Sequence, residues 1–240
     1  MKKNLLLLLF GMGSLAACAE EADAPVDSSV YWQRVASVLQ DSDVVRERAL
    51  AAQLFAFEGK PRRAAEQGRQ PDSPREALAR QLIADVDRSD DAVALAVAAQ
   101  AGAALADKAL VVASMQRWRS LEQDNLAPLL FSSMPVDELL VAARAATRYQ
   151  SHGYDQVRLM SDAFQRVPIS REETGADAWK EYPSAELRAG VAAFAIWAAR
   201  AFPSLRLLTE ACRDEALEAT PTRRADCLHV ARTLANHSDN

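Results

Sequence analysis

Asp90-Asp91-Ala92-Val93-Ala94-Leu95-Ala96-Val97-Ala98-Ala99-Gln100-Ala101-Gly102-Ala103-Ala104-Leu105 is the stretch that decides the fold class. Alanine is the strongest helix former and aspartate favours the N-cap position, so Asp90 or Asp91 opens a helix that runs through Leu105. From Ala92 onward every residue except Gln100 is apolar or glycine. Such a helix has no face to offer water and is buried all round. It is too short to cross a bilayer, which takes about 20 residues. The rest of the chain therefore has to supply helices that surround it.

Working outward, helix signals recur on both sides. Ser28 caps a helix to about Gln40 with Val30, Val35, Val38 and Leu39 as its apolar face. Ser42 or Asp43 caps a second, which carries Val44, Val45, Leu50, Leu54 and Phe57 and ends before Gly59. After a loop over residues 58–72, Ser73-Pro74 starts a third, with Ser as N-cap and Pro at the first helical position. C-terminal to the quoted stretch, helices are expected over 107–121 and 125–131. Pro135 begins a helix that reaches His152, with Gly153 at its C-cap position and the imidazole favoured by the dipole. A helix over 154–166 follows, then an irregular stretch over 167–183 with Pro168, Gly175 and Pro183. Ser184 opens a helix to Phe202 whose apolar run over 189–199 is expected to form the spine of a C-terminal core. Two final helices are expected over about 204–218 and 221–236.

Aromatic residues make up 6% of the chain and no alternating strand pattern competes with the helices. The expectation is an all-α fold of ten to eleven helices with no β-sheet. Short connections favour stacked antiparallel hairpins. The segment over 107–125, ending Leu121-Glu122-Gln123-Asp124-Asn125, is similar to the second helix and exit of a tetratricopeptide unit. That family's closing Pro is Gln123 here, and no second copy recurs at a 34-residue period. An irregular helical array and a degenerate tetratricopeptide-like stack are both open.

The N-terminus has a different design. Met1, Lys2, Lys3 and Asn4 precede the apolar run Leu5-Leu6-Leu7-Leu8-Leu9-Phe10, followed by Gly11, Gly13 and Ser14. This is the layout of a secretory signal. It ends in Leu15-Ala16-Ala17-Cys18, which resembles the lipobox of bacterial lipoproteins. The resemblance implies that residues 1–17 are a signal peptide and that Cys18 carries a diacylglycerol and, on its new amine, an acyl chain such as palmitate. Residues 18–29 then form a lipidated tether and residues 30–240 an all-helical domain. Ala19, in place of the Asp that retains such proteins at the inner membrane, implies the inner leaflet of the outer membrane, facing the periplasm.

The cysteines agree with this layout. Cys18, Cys212 and Cys227 are the three in the chain, and lipid on the first leaves a pair. On one continuous helix Cys212 and Cys227 would lie about 22 Å apart, beyond disulfide reach. Thr220-Pro221 turns the chain between them, so two antiparallel helices bring the sulfurs to the same depth. A structural disulfide is expected in an oxidising compartment.

No motif for chemistry emerges. No Ser lies three residues before a Lys, and Gly-x-Ser-x-Gly, phosphate-cradling loops and His-Glu-x-x-His are absent from the sequence. His152, His229 and His237 lack ligand spacing, so the last two are expected in surface or packing roles. The expectation is a non-enzyme with no metal and no cofactor apart from the lipid on Cys18. A formal net charge of −5 argues against nucleic acid as partner. Two loops are candidate partner sites: Lys60, Arg62, Arg63, Arg69 and Arg75 in the first, and Glu172, Glu173, Asp177, Trp179 and Tyr182 in the second. The expected role is a lipid-anchored scaffold or adaptor that binds another envelope protein. An inhibitor or immunity-type lipoprotein is the first alternative, and an envelope enzyme with an unrecognised site the second.

Overall fold

The computed structural model describes residues 29–57, 73–132, 134–170, 173, 182–198 and 205–236. Their fold is all-α. The first five helices are α1 (Ser29–Leu39), α2 (Val45–Phe57), α3 (Pro74–Val86), α4 (Ala92–Ala104) and α5 (Lys108–Leu121). Helix α3 begins where Ser73-Pro74 dictates. The Ser73 hydroxyl accepts from the Glu76 amide and the Glu76 side chain accepts from the Ser73 amide, a reciprocal capping box. Asp91 caps α4 through Ala94, and Asp107 caps α5 through Ala109 and Leu110.

Helices α2 and α3 pack as one hairpin and α4 and α5 as the next, with α2 lying directly against α4. The apolar run around Leu95 explains this order. Val93, Leu95, Val97 and the alanines between them are all buried, so α4 is covered on every side from Val93 to Ala99 while Ala103 and Ala104 at its end are exposed, and α2 is covered from Ala49 to Phe55. Gly102 lets α5 approach closely: a Cβ there would sit 3.2 Å from the Val111 amide nitrogen and 3.3 Å from the Leu110 Cβ.

Beyond α5 come the short α6 (Ala127–Leu130), α7 (Val136–Ala143), α8 (Gly153–Arg166), α9 (Ala185–Ala198), α10 (Arg206–Ala211), a 3₁₀ turn (Asp214–Glu218) and α11 (Arg223–Ala235). Helix α8 returns to the first core, against α1, α2 and α4, and pairs with α9. A second cluster of buried apolar residues gathers α6, α7 and α11 around Leu126, Leu139, Leu140, Cys227 and Val230. One isolated parallel bridge, Asn125 with Arg148, ties the two regions together, and no strand occurs among the described residues.

Four expectations need correction. Helix α1 buries Tyr31, Val35, Ala36 and Leu39, while Val30 and Val38 face water at 57% and 56% exposure. The larger aromatic surface decides the rotation: Tyr31 and Trp32 both stack near Phe164 of α8. Helix α7 does not reach His152. It stops at Ala143, because the following chain turns to place Thr147 and Arg148 amides on the Asp124 carbonyl. His152 sits at φ 58° just ahead of α8, so it is an N-terminal neighbour of a helix rather than its C-terminal residue. Helix α9 is not the spine of a C-terminal core. It buries Arg188, Ala189 and Ala193 against the first core, and α11 with α7 forms the second. Finally, α10 ends at Ala211 and α11 starts at Arg223, so the segment around Thr220-Pro221 is a longer turn than two abutting helices require.

Candidate functional site

Cys212 and Cys227 are joined by a disulfide with their Cα atoms 5.6 Å apart. The bond closes the turn onto α11, and α11 is fastened to α7 by polar contacts as well. Arg144 donates to both Asp226 carboxylate oxygens at 2.8 Å, and Arg223 pairs with Asp137. His229 Nε2 lies 3.0 Å and 2.8 Å from the carbonyls of Ala143 and Ala146 at the end of α7, which is a packing role.

Cys18, Lys60, Arg62, Arg63, Arg69, Glu172, Asp177, Trp179 and His237 lie outside the described residues. Tyr182 is half-buried, and its carbonyl accepts from Arg188 at 2.7 Å. Glu173 is committed to fixing the chain: it accepts from Arg34 and from the Ser170 amide, both at 2.7 Å. Burial raises its pKa, but the Ser170 hydrogen bonds and the Arg34 charge outweigh burial and hold it below the usual glutamate value.

The densest polar arrangement forms where α5 ends, around residues that the sequence reading did not single out as a site. Glu122 Oε2 accepts from Trp118 Nε1 at 2.7 Å, Asn125 Nδ2 at 2.8 Å and His152 Nε2 at 3.1 Å. A carboxylate only accepts, so His152 carries its hydrogen on Nε2. Arg148 stands 3.4 Å from Glu122 Oε1 and 3.1 Å from Asp124. Asn125 is saturated: its Nδ2 also donates to the Gln150 carbonyl, and its Oδ1 accepts from the amides of Ala127 and Gln150. Burial pushes the Glu122 carboxyl up. The hydrogen bonds from His152, Asn125 and Trp118, with the His152 charge, overcome that and bring it down to about 2. Nearby, Gln53 donates to Gln100 at 2.7 Å, Gln100 to Gln156 at 3.0 Å, and Gln156 to the Ser151 carbonyl at 2.9 Å. The one polar residue of the α4 run is thus the middle link of a buried amide chain.

This hub is a clasp. Apart from His152 Nδ1, which lies 3.6 Å from Asp155, its groups are paired with one another, and the hollow beside it, between Gln100 and Trp118, holds about 10 Å³. Space for a partner lies outside it, between α5 and α7. A groove of about 230 Å³ has Val112, Met115, Pro128, Leu129 and Met134 on its walls. It adjoins a wider open hollow of about 570 Å³ that reaches Asp137, Val141 and Ala142. Arg119 and Glu138 line both, and neither forms an ion pair with a described residue. Val112 of the groove and Val141 of the adjoining hollow are 41% and 57% exposed. Methionine walls adapt to varied partners, and an apolar floor between opposite charges is suited to an amphipathic helix.

Among the described residues, no group of three or more His, Cys, Asp or Glu could hold a metal ion, and no helix is long and apolar enough to cross a membrane. No family model, no curated protein and no solved structure matches the chain.

Proposed function

We propose that this chain is a lipid-anchored protein of the cell envelope that works as a helical scaffold, holding another envelope protein without chemistry of its own. The observation that carries the reading is the α5–α7 groove, with its apolar lining and with Arg119 and Glu138 free of ion pairs to the described residues. The Leu15-Ala16-Ala17-Cys18 string supports the anchor, and a disulfide that consumes the other two cysteines supports an oxidising compartment. The partner is an envelope protein that presents an amphipathic helix to the groove, with an acidic residue opposite Arg119 and a basic one opposite Glu138.

A photo-crosslinking residue at Val112, in cells that express the chain with its own N-terminus, tests this. One adduct with an exported protein is expected, lost when Val141→Glu places a charge in the adjoining hollow. Labelled palmitate should enter the parent protein and fail to enter Cys18→Ser. Crosslinks to many unrelated proteins, unchanged by Val141→Glu, would remove the groove from the account.

A further inference from the structure

Helix α9 has two apolar faces. Ala189 and Ala193 are buried against the first core, as is Arg188. On the opposite side Leu187, Val191 and Phe194 are 47%, 37% and 58% exposed. Their i, i+4, i+7 spacing puts all three in one narrow stripe, which Ala198 extends and no charged residue interrupts. The outer face of an ordinary surface helix is polar, so this stripe has a dry neighbour to meet.

Its place in the fold bears on what that neighbour is. The start of α1 lies against the inner side of the start of α9, away from the stripe: Tyr31 shares a small hollow with Ala185, Arg188, Ala189 and Ala192. Val30, next to Tyr31, is also bare at 57% exposure. The chain from Cys18 to Ser29 extends no further than about 40 Å even when fully stretched. A lipid on Cys18 therefore holds this end of the domain near a bilayer, and the tether raises the local concentration of the stripe at the surface. Helix α9 has 14 residues and is about 21 Å long, so it lies along the interface and does not span it.

We infer that the Leu187–Val191–Phe194 face of α9 is a membrane-contact surface that rests on the phospholipid to which the chain is tethered, with its apolar side chains at the boundary of headgroups and acyl chains. This rests on the anchor reading above. The stripe carries no Lys or Arg, so the contact is apolar and is insensitive to salt and to anionic lipid.

Phe194→Trp in the lipidated, full-length mature protein tests it, on phosphatidylcholine vesicles with brominated acyl chains. Flotation is measured first, beside Cys18→Ser. The indole emission added by Phe194→Trp should be mostly lost on brominated vesicles and retained on unbrominated ones, in low and high salt alike. Arg158→Trp, at an exposed position of α8, should keep its emission. Leu187→Ser with Val191→Ser in the Phe194→Trp background should restore the lost emission while flotation continues. A protein that floats while the indole at position 194 stays bright keeps its anchor and overturns this inference. A protein that does not float overturns the anchor and the inference together. Concentration-dependent self-association through position 194 without vesicles, and no quenching with them, assigns the stripe to a second copy and also overturns it.

Discussion

Replacing Glu122 with Gln should weaken the protein in a way that depends on pH. The carboxylate is held at about 2 against an ordinary 4.5, because three donors converge on Oε2 and their pull exceeds the cost of burial. A tenfold change in acid strength corresponds to about 1.4 kcal/mol, so the charged form contributes at most about 3 kcal/mol to folding, reduced by solvent screening at this half-buried site. A group whose value is depressed in the folded state contributes fully above its unfolded value. That contribution is present from pH 4.5 upward and fades as pH falls toward 2. Glu122→Gln keeps the shape and one acceptor but removes the charge, and hydrogen bonds to charged groups are worth about 1.5–3 kcal/mol. Urea unfolding at neutral pH should therefore show a loss of about 2–3 kcal/mol, with the parent and variant curves converging as the solution is acidified toward the folded-state value. The difference between the two proteins isolates this group from the other carboxylates. A deficit of the same size in neutral and in strongly acidic solution would mean that the variant suffers from misfit alone, and the charged clasp would be refuted.

The buried amide chain should be sensitive in its middle. Gln100→Leu leaves Gln53 and Gln156 short of partners inside the core and should cost about 2–3 kcal/mol in denaturant unfolding. Gly153→Ala places a methyl 2.9 Å from the Trp197 ring, and overpacking of this kind should lower stability by about 1–2 kcal/mol, seen as a reduced thermal midpoint. Cys212→Ser with Cys227→Ser should remove about 3 kcal/mol, the value for a loop of this length. Reduction of the parent protein should match that loss, and hydrogen exchange should quicken over α11 and α7 before it does so over α4.

What the sequence disclosed was whatever a short window determines. A run like that around Leu95 has one solution, a helix enclosed by others, and Ser73-Pro74 with Glu76 three residues on reads as a helix start without reference to the rest of the chain. The disulfide was legible for a similar reason, since Pro221 forces a turn between the two cysteines whatever the exact helix ends. His152-Gly153 misled because glycine after a helix usually takes the left-handed conformation. Here His152 takes it, and Gly153 begins α8 where Trp197 fills the space of a side chain. The Glu122 clasp was hidden because its members come from separated places: Trp118, Glu122 and Asn125 at the exit of α5, Arg148 and His152 from the chain that returns to α8. No periodicity links residues 122 and 152.

The same limit explains why two apolar runs of similar composition have opposite fates. The stretch around Leu95 and the stretch around Phe194 are both alanine-rich and nearly free of charge, and each reads as a core helix. Burial of α4 follows because α2, α3 and α5 arrive on its several sides. Among the described residues α9 has α8 on one side, and Phe194, beside Trp197, stays 58% exposed. Apolar composition specifies that water be excluded and leaves the means open: a neighbouring helix, a second chain or a lipid surface satisfies it equally. Which of these applies is set by what the fold brings alongside, and at α9 the described residues bring α8 and the start of α1 to the inner face and no helix to the face of Phe194.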